Sequence, residues 1–441
     1  MSPARSRPEA VTAARRAALA IALDVGRGLR LDVALERGAS GLEARDRAFL
    51  HELSYGASRL RGRLDHLLAA RVRGGLERLE PAVREILRLG AYQVLCMDGV
   101  PRYAAVSQAV SQARSASGRG AAGLVNALLR AVAVDGGGLE RFPDFGQDPE
   151  GFLASWGSHP AWLLRRWLAR WSPGEVRALV EADNRRPSLY LVPLHASPAE
   201  AARILEARGI ASAPVGKGTL CLELAPGSSP AAALEALPSL VQDPAAHLVT
   251  RYADIPPGTM VADLCAAPGG KALALAVRGG YTLAADRSEV RMRRLRDNAR
   301  RTGLGLGMVV ADARRPPLAS ADAVVLDVPC TGTGTLGRHP DARWRLDAGA
   351  MDEMIRLQRE ILDAAVRLVP RGGLLVYSTC TLEPEENQGQ VEAFLAGHPG
   401  FGLEPTGAVA SDYLDADGYL VVLPQRHGFD GAFAARLRRA S

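Results

Sequence analysis

The chain has 441 residues, 47% of them hydrophobic and 23% charged, and its net charge is +6. This length is too great for one ordinary core and predicts two or three domains. No apolar run approaches the ~18–20 residues that span a bilayer, and the basic segment Met1 to Pro8 lacks the apolar stretch of a secretory signal. We therefore expect a cytoplasmic protein with no membrane partner.

Residues 10–140 show the three- and four-residue apolar spacing of helices. One such stretch begins at Pro81 and ends at Gly90, as helices prefer. Residues 1–140 contain 21 Arg against 14 Asp and Glu, a surplus of +7, whereas the rest contains 33 basic and 34 acidic residues. An arginine-rich genome explains the choice of Arg but not the location of the surplus. The sequence predicts a helical bundle over 1–140 that binds nucleic acid.

Residues 141–245 are predicted to be a linker and a small subdomain. The linker is rich in Gly and Pro, and the segment after it mixes helix and strand patterns. Trp162, Trp167 and Trp171 share a helical face, beside several arginines, and could stack on RNA bases. A tryptophan stripe at helical spacing is more often core, and we predict that these side chains pack inside.

Residues 246–441 alternate apolar strands with helices, which is typical of a doubly wound, mostly parallel sheet. Such sheets bind ligands at the carboxyl ends of their strands. The final segments, 419–423 and 431–439, are predicted to be two strands that complete a seven-stranded sheet.

A small-residue loop follows the first of these strands: Asp-Leu-Cys-Ala-Ala-Pro-Gly-Gly-Lys, residues 263–271. It is not a phosphate-binding P-loop, which would need Gly at Cys265 and Ser or Thr at Ala272. Asp286, Asp312 and Asp327 close the next three strands. Carboxylates in this series suit the ribose hydroxyls and amino group of an adenosine-bearing cofactor.

Two cysteines follow neighbouring strands, in Asp-Val-Pro-Cys-Thr-Gly (327–332) and Tyr-Ser-Thr-Cys-Thr (377–381). We expect the thiols of Cys330 and Cys380 to converge. Methylation at C5 of a pyrimidine needs a thiolate that adds at C6 and a base that removes the C5 proton. A carboxyl at N3, which Asp327 could supply, would offset the charge that develops. The chain has only five cysteines and no CxxC pair, so we expect neither disulfides nor a metal site.

These motifs resemble those of the RsmB/Sun branch of the RNA 5-methylcytosine methyltransferases. The likeness includes Asp-Leu-Cys-Ala-Ala-Pro-Gly-Gly-Lys (263–271), Asp-Val-Pro-Cys-Thr-Gly-Thr-Gly (327–334), and Tyr-Ser-Thr-Cys-Thr with Glu-Glu-Asn (377–387). The first ~130 residues resemble the NusB-type helical domain that heads this branch, as in Val-Asn-Ala-Leu-Leu-Arg (125–130).

The resemblance implies a NusB-like helical RNA-binding domain (1–140), a small α/β subdomain (141–245) and a Rossmann-like methyltransferase domain (246–441). It implies S-adenosyl-L-methionine as cofactor and Cys380 as the nucleophile, with Cys330 acting in product release and Asp327 at N3. The cofactor contacts that it implies are Cys265, Ala266, Ala267, Pro268, Gly269, Gly270, Lys271, Asp286, Asp312 and Asp327.

The expected activity is methylation of C5 of a cytosine in 16S ribosomal RNA by a monomer. Transfer RNA is the alternative substrate, and a non-catalytic RNA-binding or ribosome-assembly factor is the alternative class. The sequence departs from the family at residues 187–194, where an Arg-x-Asn is usual. Because the cysteine motifs are intact, this departure bears on the substrate rather than on the chemistry.

Overall fold

The computed structural model of the chain describes residues 10–278 and 280–441. It forms two compact units: a helical unit that ends at Arg185 but also includes Leu336–Arg345, and an α/β unit made of Arg186–Thr335 and Leu346–Ser441. The N-terminal octapeptide, on which the expectation of no secretory signal rests, lies outside the described residues. Within the described ranges, no helix is long and apolar enough to cross a membrane.

The helical unit confirms the predicted bundle. Its chain contains α1 (Ala13–Gly26), α2 (Leu31–Gly38), α3 (Ala44–Arg59), α4 (Arg61–Ala69), α5 (Pro81–Cys96), α6 (Arg102–Asp135), α7 (Pro149–Ser155), α8 (Ala161–Leu168) and α9 (Pro173–Asn184). Pro81 occupies the first turn of α5, where its missing N–H costs nothing. Leu50, Ile86 and Leu129 are fully buried in one core. Trp167 is also fully buried, so that part of the tryptophan stripe is core, as predicted.

One arginine of the helical unit comes from far along the chain. Arg343 is fully buried, and burial lowers its pKa to about 10. Its guanidinium donates to five oxygens of this unit: the carbonyls of Arg59 (3.3 Å), Ser158 (3.0 Å), Asp183 (3.3 Å) and Leu336 (3.3 Å), and Oδ1 of Asn184 (2.9 Å). Arg343 therefore ties residues 336–345 to the helices.

The α/β unit begins with a small antiparallel sheet in the strand order β2-β3-β1-β4. Its elements are β1 (Tyr190–Pro193), α10 (Pro198–Glu206), β2 (Ser212–Val215), β3 (Cys221–Leu224), α11 (Pro230–Ala236) and β4 (Ser239–Val241). Strand β1 lies within 187–194, the segment that departs from the family pattern. Three of its four residues are buried, so this segment supplies core.

The large sheet has the strand order β10-β12-β9-β8-β5-β6-β7, and β11 pairs with β12. The remaining elements are α12 (Pro244–Tyr252), β5 (Val261–Asp263), α13 (Gly270–Ala276), β6 (Thr282–Asp286), α14 (Glu289–Thr302), β7 (Gly307–Val310), β8 (Ala323–Asp327), α15 (Ala342–Arg345, in the helical unit), α16 (Ala348–Val366), β9 (Leu374–Thr379), α17 (Gln388–Gly397), β10 (Phe401–Leu403), β11 (Leu420–Val422), α18 (Pro424–His427) and β12 (Ala432–Arg439).

Strands β5 to β9 run parallel, and β12 is antiparallel to its neighbours. The Rossmann-like fold class is confirmed, and the two final strands form where they were predicted. The sheet has eight strands rather than seven because the three-residue β10 also pairs with β12. The chain order reverses at β5, between β6 and β8, so the ligand crevice of such a sheet lies at the carboxyl ends of these strands.

Replacing Arg343 with Met should lower the free energy of unfolding of the helical unit by about 3–5 kcal/mol, because it leaves buried oxygens without their charged donor. Urea titration followed by circular dichroism measures the loss. Arg296→Met is the matched control, since Arg296 is exposed and its loss should change stability by less than about 0.5 kcal/mol. Equal stabilities of the two variants would contradict this role for Arg343.

Candidate active site

Four neighbouring strands end in polar residues at one edge of the large sheet. Asp263 ends β5, Asp286 ends β6 and Asp327 ends β8. Cys380 directly follows β9. Asp263 and Asp286 are almost completely buried, so this edge holds carboxylates at low exposure that need donors.

Lys271 lies among these carboxylates. Its Nζ donates to Oδ2 of Asp327 at 2.8 Å, and Ser378 Oγ donates to Oδ1 of the same carboxylate at 3.0 Å. Burial alone would lower the pKa of Lys271, but Asp327, Cys380 and Asp263 together raise that pKa. The lysine is therefore a fixed positive charge beside Asp327, and it also interacts electrostatically with Cys380.

The two predicted catalytic thiols meet. Their Sγ atoms are 3.4 Å apart, and the backbone N–H of Cys380 donates to Sγ of Cys330 at 3.4 Å. A hydrogen bond to Cys380 and then burial raise the pKa of Cys330 well above its ordinary value. Either sulfur could donate in this contact, and the raised pKa favours the protonated form of Cys330.

A buried carboxylate holds the loop that carries Cys330. Glu386 Oε1 accepts from the backbone N–H of Thr331 at 2.9 Å and from Nε2 of Gln358 at 2.8 Å. Its Oε2 accepts from the hydroxyl of Thr331. Burial raises the pKa of Glu386, and the three donors offset its desolvation. Thr331 follows Cys330, so Glu386 fixes the backbone next to that thiol.

A glycine holds the other side of the thiol pair. Gly334 N–H donates to the carbonyl of Cys380 at 3.0 Å, and the N–H of Gly431 donates to the carbonyl of Gly334 at 2.7 Å. A Cβ at Gly334 would lie 2.7 Å from both the Cys380 carbonyl oxygen and the Cα of Gly431. Only glycine permits this approach of three backbone segments.

The predicted cofactor loop is tied to the sheet. The N–H of Ala266 donates to the carbonyl of Ala285 at 3.0 Å, and the N–H of Ala267 donates to Oδ2 of Asp286 at 3.2 Å. Gly269 has φ of +111°, and a Cβ there would lie 2.8 Å from Cγ of Leu295. Pro268 is exposed, and Gly270 opens α13.

The donor groups of S-adenosylmethionine fit these residues. Its ammonium, ribose hydroxyls and adenine amino group are all donors, and the site offers carboxylates. Oδ2 of Asp263 is buried and accepts no hydrogen bond from any described residue. Burial, and then Asp327, raise the pKa of Asp263 to about 7. A cationic or neutral donor from the cofactor would stabilise this carboxylate.

The other predicted contacts are less open to a ligand. Asp286 accepts from Arg291 at 2.9 Å as well as from backbone N–H groups. Asp312 lies beyond β7 and pairs with Arg314 at 2.7 Å, which lowers its pKa to about 2. Burial raises the pKa of Cys265 well above its ordinary value, as expected of a structural thiol. The predicted carboxylates lie toward one edge of the sheet, but Asp286 and Asp312 already form ion pairs with arginines.

The predicted site omitted Asp263, Glu386 and Gly334. Asp263 lies at the end of a strand, which is the pattern from which the other carboxylates of the site were predicted. Glu386 and Gly334 lie inside the quoted motifs, but their contacts depend on segments distant in sequence. Among the described residues, no group of three or more His, Cys, Asp or Glu side chains could hold a metal ion.

Comparison with known proteins finds three family models along the chain. A family model described as 16S rRNA methyltransferase RsmB/F matches residues 254–438, a NusB family model matches residues 12–134, and a model described as an RsmF/B-like ferredoxin-like domain matches residues 159–228.

Similar proteins match over almost their whole length. The ribosomal RNA small subunit methyltransferase B of Thermus thermophilus is 37% identical, over 97% of this chain and 98% of its own. The probable ribosomal RNA small subunit methyltransferase B of Synechocystis is 34% identical over 97% and 99%. The crystal structure of PH0851 has a TM-score of 0.78 and 28% identity, covering 98% of this chain and 100% of that one.

The variant Glu386→Ala tests whether Glu386 fixes the loop that carries Cys330. It leaves the buried donors of Thr331 and Gln358 unpaired, at a cost of about 1–3 kcal/mol each, and should raise the alkylation rate of Cys330 at least tenfold. Thermal unfolding and mass spectrometry after timed alkylation measure both effects. Glu385→Ala is the control, because Glu385 is exposed. Unchanged melting and alkylation in Glu386→Ala would rule the role out.

Proposed function

The chain belongs to the RsmB/F family of 16S rRNA methyltransferases, and on this premise we propose that it methylates C5 of a cytosine in small-subunit ribosomal RNA through a covalent cysteine adduct. It is a methyltransferase that uses S-adenosylmethionine, which supplies the activated methyl group. The observation that carries the finer proposal is the thiol pair, with 3.4 Å between Sγ of Cys330 and Sγ of Cys380.

The protonation of the pair supports Cys380 as the nucleophile. Cytosine C5 is a poor nucleophile until a thiolate bonds to C6 and converts the ring to an enamine. Cys330 retains its proton because of its hydrogen bond to Cys380 and its burial. Lys271 interacts electrostatically with Cys380, and Cys380 is the sulfur that contacts the protonated Cys330.

We assign the release step to Cys330. After the methyl group has bonded to C5, a base must take the C5 proton so that the bond between Cys380 and C6 can break. The hydrogen bond to Cys380 is the largest cause of the raised pKa of Cys330. When Cys380 is bonded to the base, that cause is removed. The Cys330 thiol can then lose its proton to solvent and, as a thiolate, take the C5 proton.

Asp327 is assigned to the cytosine ring. Its carboxylate is held by Ser378 and Lys271, which fixes the group beside the thiols without using all of its lone pairs. Negative charge develops at N3 when the thiolate adds to C6, and a proton taken from solvent and shared between N3 and the Asp327 carboxyl would offset it. Lys271 interacts electrostatically with both Asp327 and Cys380.

The domain roles follow the same proposal. Residues 1–140, which carry the basic surplus, are proposed to dock RNA. Of residues 141–245, the stretch up to Arg185 lies in the helical unit and the rest contains the small antiparallel sheet. Residues 246–441 are proposed to carry the chemistry. A basic surface of this kind contributes affinity through phosphate contacts that salt weakens.

Methylation of unmodified small-subunit ribosomal RNA tests the activity. Purified protein with a labelled methyl donor should produce 5-methylcytosine, detected by nucleoside mass spectrometry, and Cys380→Ala should produce none. Transfer RNA is the parallel substrate. Product on transfer RNA alone would overturn the ribosomal assignment, and a methylated base other than 5-methylcytosine would overturn the chemistry.

The roles of the two cysteines are tested by trapping. Cys330→Ala should accumulate a covalent protein–RNA adduct that survives denaturing electrophoresis, because release is blocked. Cys380→Ala and the double variant should form none. All reactions contain a thiol reductant, since adjacent thiols can oxidise to a disulfide. An adduct with Cys380→Ala and none with Cys330→Ala would exchange the two roles.

A further inference from the structure

The helical unit contains a cavity of about 540 Å³. Helices α1, α3, α4 and α5 line it, together with the segment that includes α15. This volume is in the range of about 300–1,000 Å³ that is usual for small-ligand sites. Part of the wall is apolar, with Ala18, Ile21 and Leu89, and part carries arginines.

Three buried polar atoms on this wall have no hydrogen-bond partner among the described residues: Ser54 Oγ, Arg61 Nε and Arg84 Nε. Arg84 still pairs with Glu77 at 2.7 Å. The ion pair of Arg61 is a long one, 3.7 Å from Nε to Oδ2 of Asp65, and burial followed by Arg88 lowers its pKa. Buried polar groups are nearly always bonded, so Arg61 and Arg84, which line the cavity, keep donor capacity for a ligand that accepts hydrogen bonds.

The charges around the cavity balance. Four arginines line it: Arg61, Arg84, Arg88 and Arg345. Four carboxylates lie within 4 Å of them: Asp65, Glu77, Glu85 and Asp341. A phosphate would add an uncompensated negative charge to this balance, so the occupant should be polar but neutral.

Trp344 gives the cavity a flat wall. Its indole N–H donates to the carbonyl of Ser58 at 2.9 Å, which fixes the ring, and the guanidinium of Arg61 lies 5.2 Å from the ring centroid. Indole rings and guanidinium planes both stack on nucleobases. A flat, neutral ligand with acceptors on one edge therefore suits both the wall and the unpaired donors.

We propose that this cavity binds an unpaired guanine base of the RNA substrate. Guanine presents O6 and N7 side by side as acceptors, which the arginine fork matches, whereas adenine places an amino donor beside N7. The other edge of guanine carries N–H donors, from which a carboxylate such as Glu85 can accept hydrogen bonds. That the guanine belongs to RNA rests on the proposed function, but the chemistry of the cavity does not.

The test is calorimetric titration of the full-length protein with guanosine, 7-deazaguanosine and cytidine, which carry no phosphate. Saturating S-adenosylhomocysteine is present throughout, to occupy the cofactor site. We expect one bound guanosine, at least tenfold tighter than the other two nucleosides. Arg61→Met should weaken it at least tenfold. Arg61→Lys keeps the positive charge but loses the guanidinium fork, and it should weaken guanosine binding severalfold. It also serves as a second variant if Arg61→Met folds poorly.

The controls separate this site from the catalytic one. Arg73→Met should bind normally, because Arg73 is exposed and does not line the cavity. Cys380→Ala should bind normally while losing methyl transfer. Equal affinity for guanosine and cytidine, or undiminished binding by folded Arg61 variants, would overturn the proposal. Guanosine binding by a protein that methylates no RNA would overturn the proposed function and leave the guanine site standing.

Discussion

The site depends on one contact, that between the sulfurs of Cys330 and Cys380. The parallel pairing of β8 with β9 sets Asp327 opposite Ser378, so the residues that follow these strands emerge side by side. Glu386 then fixes the loop after Cys330, and Gly334 fixes the carbonyl of Cys380. A slip of one residue in this register would turn the side chains of one strand to the opposite face and separate the thiols. The sheet register is therefore part of what builds the proposed catalytic site.

The edge of the sheet that carries this site has more carboxylates than positively charged side chains. Asp263, Asp286 and Asp327 end adjacent strands, and of the two lysines in the chain only Lys271 lies among them. The raised pKa of Asp263 results from burial and from the neighbouring Asp327. A cofactor with an ammonium and several hydroxyl donors would relieve this repulsion when it binds. Binding and stabilisation of the folded unit are then linked, since a ligand specific for the folded state stabilises it.

Much of the fold and of the site could be predicted from the sequence, because both depend on local patterns. Apolar strands that end in Asp or precede Cys identified the sheet edge, and strand adjacency predicted that Cys330 and Cys380 meet. What escaped prediction depends on distant contacts. The three-residue β10 has no pattern of its own and exists because β12 pairs with it. The incorporation of residues 336–345 into the helical unit rests on Arg343, whose burial no spacing indicates.

The choice of lysine at position 271 has a physical reason. The chain has 54 basic residues, and only Lys217 and Lys271 are lysine. Arginine presents five donors in a rigid fork, whereas the lysine ammonium is a compact charge with three. At this position one carboxylate oxygen, 2.8 Å away, accepts from the ammonium, and the second oxygen of Asp327 is taken by Ser378. A fork would bury donors without acceptors and would occupy space beside Cys380. A single compact charge satisfies Asp327 and still acts on the thiol.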